Sequence, residues 1–245
     1  KNPKLAQEII LAAKEGAKRA TAESEQWSHD HKNLPVSVKT RIGYNKNELE
    51  TWLPALLEAE PALITIHART RKEMSLVPAR WEHVKRAVEI RDAFVNKDGK
   101  KSETLIFGNG DIVDLEDARK KCEESGADGA MLGRAIFGTP WLWNPSREGF
   151  HRENLESRKK ILNIMVEHTK LFEELLCPPK ADLQSKSARS TPKVFRHKNF
   201  AIMKKHYKAY VTGFDGAKEL RMKLMDAKNA TEVSEIVGVY LASLK

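Results

Sequence analysis

The stretch that decides the fold class is Ala62-Leu63-Ile64-Thr65-Ile66-His67. It is almost continuously apolar and rich in β-branched residues, which is typical of a strand buried on both faces of a parallel sheet. Apolar residues at helical spacing precede it over residues 47–59 and follow it over residues 80–95. A buried strand between two amphipathic helices predicts a repeated strand–helix unit and therefore a parallel sheet.

The same alternation extends in both directions along the chain. Further strands are predicted over residues 34–41, 104–107 and 129–132, and a first helix over residues 3–17. Another helix is expected between Asp114 as the N-cap and Gly126 just past its end. Such alternation fits a (β/α) barrel or a doubly wound sheet. A TIM barrel has eight strands, so four strands predict half of such a barrel, in a domain over residues 1–149.

A change of pattern after Pro145 predicts a second domain over residues 150–245. This domain is expected to be all-helical, because its apolar residues recur at helical rather than strand spacing. The predicted helices cover residues 155–176, 196–211, 216–226 and 231–244. The segment from Cys177 to Thr191 is rich in Pro, Lys and Ser, which indicates a linker.

Two smaller local predictions accompany this division. Residues 18–33 and 96–103 are polar and are expected to form exposed loops, and Thr139-Pro140 is expected to begin a helix.

Composition narrows the classes of protein to consider. The 245 residues include 43 Lys and Arg against 34 Asp and Glu, a net charge of +9. The longest apolar runs fall far short of the ~20 residues that a membrane-spanning helix needs, so no membrane association is expected. The two cysteines, Cys122 and Cys177, form neither a disulfide framework nor a CxxC metal motif. We therefore expect a reducing, cytoplasmic location and no metal site, and the basic charge allows an anionic partner.

The candidate binding residues follow the four strands, at the end where a (β/α) barrel holds its sites. The first two strands end in basic pairs, Lys39 with Arg41 and His67 with Arg69, and each pair points one way because strand side chains alternate. Two like charges on a buried strand are costly unless an anion meets them; a strand end frayed into solvent is the alternative.

The other two strand ends are rich in glycine. Gly108-Asn109-Gly110-Asp111 would let a backbone approach a ligand closely, although a simple turn fits as well. Gly133-Arg134 offers an amide and a guanidinium that suit a phosphate. Taken together, the four strand ends predict an elongated anionic ligand with a phosphate at one end.

These motifs, in this order, resemble the bacterial type of the tRNA-dihydrouridine synthase family. The resemblance rests on four segments of the first half and two of the second: residues 36–43, 66–71, 108–112, 129–135, 200–206 and 213–221. It implies FMN as cofactor, NADPH as reductant, tRNA as partner, and the reduction of uridine to 5,6-dihydrouridine. It also implies that residues 1–149 form the C-terminal half of a flavin-binding TIM barrel and that residues 150–245 form a helical tRNA-binding domain.

The resemblance further implies roles for particular residues. Lys39 would lie against the flavin pyrimidine edge, and His67 would reach the flavin or its phosphate. Asn109, Gly110 and Asp111 would hold the ribityl and phosphate region, and Gly133 with Arg134 the phosphate. Arg41 and Arg69 match positions close to the flavin or the RNA. The expected RNA contacts also include Lys198, Lys204, Lys205, Lys208 and Arg221.

The sequence also departs from the family pattern. The family's Pro-Met-Ala-Gly-type strand end, its Gln-containing strand and its Asn-x-Gly-Cys-Pro loop have no counterpart, and the chain opens at the helix that follows that loop. The Cys of that loop protonates the uracil ring, so no catalytic residue is predicted in this chain. The expected additional partner is a missing N-terminal barrel half or a second copy.

Two alternatives remain open from the sequence. One is a non-catalytic RNA-binding protein, in which Lys204, Lys205 and Lys208 contact phosphates while Tyr207 and Tyr210 stack on bases. The other is an FMN barrel enzyme that acts on a small molecule, which leaves the basic helical domain unexplained.

Overall fold

The computed structural model describes residues 2–23, 34–144, 154–177 and 198–244. The chain forms two compact units, one ending at Arg134 and the other starting at Ala135.

The first unit alternates helices and strands as the sequence predicts. Its elements are α1 (Pro3–Glu23), β1 (Ser37–Arg41), α2 (Leu49–Leu57), β2 (Leu63–His67), α3 (Glu82–Ala93), β3 (Leu105–Asn109), α4 (Leu115–Ser125) and β4 (Gly129–Met131).

The four strands form one parallel sheet in the order β1-β2-β3-β4. A doubly wound sheet reverses its strand order at a switch point, whereas a barrel adds strands in chain order. The predicted α/β architecture with half of a TIM barrel is therefore confirmed.

One face of this sheet is packed against helices. Ile64, Ile66 and Ile106 are fully buried there, in a core with Leu53 and Leu57 of α2. The opposite face carries the side chains of Lys39, Thr65 and Phe107 in one row across β1, β2 and β3. In a barrel, this second face is the one that points inward.

The predicted ends of α4 are confirmed in detail. The Asp114 carboxylate accepts a hydrogen bond from the backbone N–H of Asp117 at 2.8 Å. Gly126 adopts the left-handed conformation, with φ 71°, at the other end. A carboxylate N-cap and a left-handed glycine satisfy backbone groups that the helix itself leaves unpaired.

The predicted loop from residue 18 is wrong as far as Glu23, because α1 continues to that residue. The segment after Gly16 consists mainly of Lys, Arg, Ala and Glu, which favour helix and contain no breaker. Thr21 also donates to the Ala17 carbonyl at 2.9 Å. Residues 24–33 lie outside the described residues.

Helices are the only regular secondary structure among the described residues of the second unit, as predicted. Its helices are α5 (Leu155–Leu176), α6 (Lys204–Tyr210), α7 (Ala217–Asp226) and α8 (Ala230–Ser243), and a 3₁₀ turn, Phe200–Met203, leads into α6. Its core includes Leu162, Met165, Tyr207, Leu224 and Val233. The predicted linker lies, apart from Cys177, outside the described residues.

The helix predicted to start at Thr139-Pro140 is absent from the described residues 139–144, which form turns. Leu142 N–H donates to the Thr139 carbonyl at 2.9 Å, and Asn144 N–H donates to the Trp141 carbonyl at 2.8 Å. Each bond therefore joins residues three positions apart, as in a turn.

Within the described ranges, none of the helices combines the length and the apolar character that crossing a membrane requires. The assignment of residues 1–149 to FMN and 150–245 to tRNA stays a prediction.

Candidate functional site

The carboxyl ends of β1, β2 and β3 meet at one edge of the sheet. The strand register pairs Arg41 with His67 and His67 with Asn109, so these three residues lie side by side. Residues just beyond the strand ends, among them Arg69 and Asp111, complete this carboxyl edge. The geometry therefore brings together groups from most of the predicted site motifs.

An ion pair between the buried Arg69 and the half-buried Asp111 organises this edge. The Arg69 side chain is only 4% exposed, and its Nη2 donates to Asp111 Oδ2. Its Nε donates to the Val77 carbonyl at 2.6 Å, and Ala79 N–H donates to the same Asp111 oxygen at 2.8 Å. Arg69 thus fastens the loop between β2 and α3 to the end of β3. This burial argues against direct contact of Arg69 with RNA.

The electrostatics of Asp111 follow from these partners. The Arg69 hydrogen bond, the Ala79 N–H and the nearby charge of Arg134 lower the pKa of Asp111 to about 2, although burial opposes the shift. Asp111 is therefore ionised at any physiological pH. Its backbone φ of 48° is in the left-handed region, which is uncommon for a residue other than glycine.

His67 lies in the same network and is held neutral. Burial, then the charges of Arg41, Lys39 and Arg69, lower the pKa of His67 to about 4, with Asp111 acting in the opposite direction. Arg69 Nη1 lies 3.3 Å from His67 Nε2. Because a guanidinium can only donate, Nε2 accepts, and the proton of the neutral ring is assigned to Nδ1. His67 therefore offers an N–H donor at neutral pH.

This neutrality predicts a pH dependence of stability. A histidine whose folded pKa lies below its unfolded value binds fewer protons when folded. Its contribution is complete above pH 6.5 and is lost as the pH falls toward 4. Between pH 7 and pH 5, we expect the unfolding free energy of wild type to fall by about 1 kcal/mol more than that of His67→Gln. This value allows for the partial exposure of His67.

The measurement is urea unfolding of both proteins at the two pH values. His168 and His206 also have lowered pKa values, but they are present in both proteins and cancel in the difference. Equal pH dependence of wild type and variant would contradict the assignment.

Lys39 and Arg41 line a cleft of ≈540 Å³ beside β1, together with Arg71 and Trp52. Burial and the charge of Arg41 lower the pKa of Lys39. Burial, Arg71 and Arg69 lower the pKa of Arg41, whose Nη1 donates to the Thr70 carbonyl at 2.9 Å. Neighbouring positive charges repel one another, and an anion bound among them would relieve this repulsion and stabilise the site.

The glycine-rich end of β3 is shaped by close packing. Gly110 has φ 122°, and a Cβ there would lie 2.8 Å from the Ala79 Cβ, so a larger residue would be strained. Asn109 Nδ2 donates to the Met131 carbonyl at 2.6 Å, which ties β3 to β4. Asn109 is thus partly engaged in holding the sheet.

The end of β4 presents the most accessible of the predicted phosphate ligands. The side chain of Arg134 is 72% exposed, with one nitrogen on Asp111 Oδ1 at 2.7 Å. A Cβ at Gly133 would meet no atom within 4 Å, so the backbone there is open to a ligand. Both predicted residues are therefore available to an anion.

Sequence reasoning missed three residues at or near this edge. Trp81 Nε1 donates to the Gly110 carbonyl at 2.9 Å, and its ring fills the space beside Gly108. Glu73 accepts from both Thr70 N–H and Arg80, which braces the loop after β2. The Thr65 hydroxyl is buried and has no hydrogen-bond partner among the described residues. Of these three residues, only Trp81 carries a sequence signal of its role, since a tryptophan stands at the start of a predicted helix.

The predicted RNA contacts fall mostly on or near α6. Lys204, Lys205 and Lys208 belong to α6, and Lys198 precedes it. Arg221 Nη1 donates to the Val211 carbonyl at 2.6 Å, just beyond the end of α6. That hydrogen bond gives Arg221 a structural partner.

The predicted stacking role of Tyr207 and Tyr210 is wrong. Both side chains are fully buried in the core of the second unit, and Tyr210 Oη lies 3.1 Å from His168 Nδ1. They occur three residues apart, as core positions of a helix do. Neither can present a ring face to a base.

Comparisons with known proteins agree with the motifs. The family model described as dihydrouridine synthase matches residues 25–243. A probable tRNA-dihydrouridine synthase of Staphylococcus epidermidis is 33% identical over 244 residues, covering 99% of this chain and 61% of the relative. The probable tRNA-dihydrouridine synthase 2 of Bacillus subtilis is 33% identical over 237 residues, covering 96% and 59%.

The chain thus spans about 60% of the length of the curated relatives that it matches. The match nevertheless runs through both units and includes every strand-end motif of the carboxyl edge. The chain belongs to the dihydrouridine synthase family.

Proposed function

We propose that this chain supplies the FMN-binding and tRNA-binding parts of an NADPH-driven tRNA-dihydrouridine synthase. The observation that supports this most strongly is the concentration of cationic and donor groups at the carboxyl edge of a barrel-type sheet. In this proposal, residues 1–149 bind FMN and residues 150–245 bind tRNA.

The residues at the carboxyl edge fit a flavin mononucleotide. Arg134 and the open backbone at Gly133 suit its phosphate, because a guanidinium and a free amide both donate to phosphate oxygens. Burial and then the charge of Arg41 lower the pKa of Lys39, and burial and then the charges of Arg71 and Arg69 lower that of Arg41; an anionic group would relieve this repulsion. The Thr65 hydroxyl, which meets no hydrogen-bond partner in the part of the chain that the structure describes, would supply a further polar contact on the inward face.

FMN, when bound, would carry the reducing equivalents of NADPH to the uracil ring. The chain's own residues hold and tune that cofactor. Lys39 would place positive charge where the reduced ring is negative, and His67 would donate from Nδ1 while remaining neutral. Arg69 and Asp111 do not need to touch the cofactor, since their ion pair keeps the surrounding loops in place.

We assign no catalytic role to either cysteine. Burial and the charge of Glu123 raise the pKa of Cys122, and burial and Glu173 raise that of Cys177. The proton donor that the family uses would come from a further barrel segment. Strands that extend the sheet beyond β1 and β4, from additional polypeptide or from a second copy, would complete the barrel.

Flavin retention provides the first test. The purified chain is incubated with FMN and desalted, and its visible spectrum is recorded. We expect bound flavin, and we expect Arg134→Ala to weaken binding by about 10- to 100-fold, the range for a hydrogen bond to a charged group. The control is Arg119→Ala on the exposed surface of α4, which removes the same charge elsewhere and should bind as wild type does.

The second test measures product. Unmodified tRNA is incubated with FMN, NADPH and the chain, with and without a polypeptide that supplies the N-terminal barrel half of a family member. Digested nucleosides are examined by mass spectrometry for uridine that has gained two hydrogen atoms, which is expected only with the added half because that half carries the proton donor. No retained flavin together with preserved RNA binding would overturn the proposal in favour of a non-catalytic RNA-binding protein.

A further inference from the structure

An exposed aromatic ring stands out in the second unit. Phe137 is 42% exposed and lies in the turn that follows a 3₁₀ helix, Arg134–Ile136. The next residue, Gly138, has φ 75°, and a Cβ there would lie 2.5 Å from the Ala209 carbonyl oxygen. The turn is therefore pressed against the backbone of α6, which fixes the position of Phe137.

The Phe137 ring is supported from within the unit by two histidines. Its centroid lies 5.2 Å from that of His206, with 31° between the planes. His206 in turn lies 5.1 Å from His168 in an edge-to-face arrangement, and His168 reaches the buried Tyr210 hydroxyl. These distances are those of favourable aromatic pairs. A row of rings thus connects the exposed Phe137 to the core.

The surroundings of this ring are cationic. Lys205 Nζ lies 5.9 Å from the Phe137 centroid, and Lys204 and Lys208 belong to the same helix. Among the described residues, no carboxylate forms an ion pair with these three lysines. Burial lowers the pKa values of His168 and His206. The two histidine rings behind Phe137 are therefore neutral, while the lysines of α6 beside it are charged.

We propose that Phe137 is a stacking platform for an unpaired base of bound RNA and that Lys205 contacts an adjacent phosphate. The inference rests on the proposed tRNA function and adds the residue that meets the base. An exposed ring beside cations suits a nucleic acid, because a base can stack on the ring and a phosphate can be neutralised by the cations. Both contributions to binding are largely independent of base sequence.

The experiment separates these two terms. The full chain is titrated with a fluorescein-labelled single-stranded uridine 12-mer and with the same 12-mer carrying abasic sites at its central positions. We expect wild type to bind the complete 12-mer more tightly. Phe137→Leu should lose about 5- to 150-fold in affinity for the complete 12-mer, the range for one stacked base, and little for the abasic one.

Lys205→Gln should behave differently from Phe137→Leu. It should weaken binding to both oligonucleotides alike and lower the slope of log affinity against log salt by about 0.7, the value for one phosphate contact on a single strand. Phe137→Tyr should keep the preference for the complete 12-mer, because it keeps the ring. Met222→Ala, which truncates another exposed apolar side chain, is the control and should bind as wild type does.

Three outcomes would overturn the inference. They are equal binding of the two oligonucleotides by wild type, an equal loss on both with Phe137→Leu, and loss of the preference in Phe137→Tyr. Any of these could occur with flavin retention and dihydrouridine formation intact, so failure here is distinguishable from failure of the proposed function. Near-ultraviolet circular dichroism of each variant identifies a change caused by unfolding.

Discussion

Replacing Asp111 with alanine is expected to lower the unfolding free energy of the first unit by about 3 kcal/mol. Removing one partner of a buried ion pair leaves the other charge uncompensated, which typically costs about 3–5 kcal/mol. We take the lower end because the Asp111 side chain is 35% exposed and because Arg69 keeps the Val77 carbonyl as a partner. The substitution also deprives Ala79 N–H of its acceptor, so the loop between β2 and α3 should detach first.

Hydrogen exchange followed by mass spectrometry measures this loss locally. Peptides that cover residues 63–81 and 105–112 should lose protection, while those of the second unit should not. Glu89→Ala removes one of the two exposed partners of Arg86 and serves as the matched control, with an expected change within about 0.5 kcal/mol. Unchanged exchange in Asp111→Ala would show that the ion pair does not hold the loop.

A second large effect is expected from one methyl group in the second unit. Gly138→Ala should lower the unfolding free energy of that unit by about 3 kcal/mol. A left-handed residue other than glycine is strained by about 1–2 kcal/mol, and overpacking adds about 1–3 kcal/mol. The added Cβ would lie 2.5 Å from the Ala209 oxygen and 2.6 Å from its carbonyl carbon. Both are backbone atoms, which cannot rotate away.

Gly16→Ala is the natural control, since it makes the same substitution with the opposite expectation. Gly16 lies inside α1, and a Cβ there would meet no atom within 4 Å. Alanine in a helix interior is favoured over glycine by about 0.5–1 kcal/mol. Thermal unfolding of the two variants should therefore shift in opposite directions, and a neutral Gly138→Ala would refute the close packing of the turn on α6.

Features set by neighbouring residues could be predicted from the sequence. The strands, the α4 caps and the helical second unit all depend on local patterns such as the apolar run ending at His67 or the Asp114–Asp117 spacing. The strand-end residues could be named because parallel strands must present their carboxyl ends together. Family motifs then supplied their expected roles.

Features that depend on distant residues could not be predicted. Nothing in the local sequence indicates that Arg69 is buried against Asp111, 42 residues later. The tyrosines of α6 looked suited to stacking because an aromatic spacing fits a core and a binding face equally well. The exposure of Phe137 could not be predicted either, because it depends on how Gly138 packs against Ala209, a residue about seventy positions away.

The strand order of the first unit also has a consequence for biosynthesis. From β2 onward, each strand pairs with the strand synthesised just before it. The partner of each of these strands has therefore already been synthesised when the strand leaves the ribosome. Short sequence separations between contacting residues favour rapid folding, and units can form while the ribosome is still at work. The ion pair of Arg69 is the exception. Until Asp111 has left the exit tunnel, the nascent chain carries an unpaired guanidinium at the end of β2, so the loop can close only after the third strand has docked.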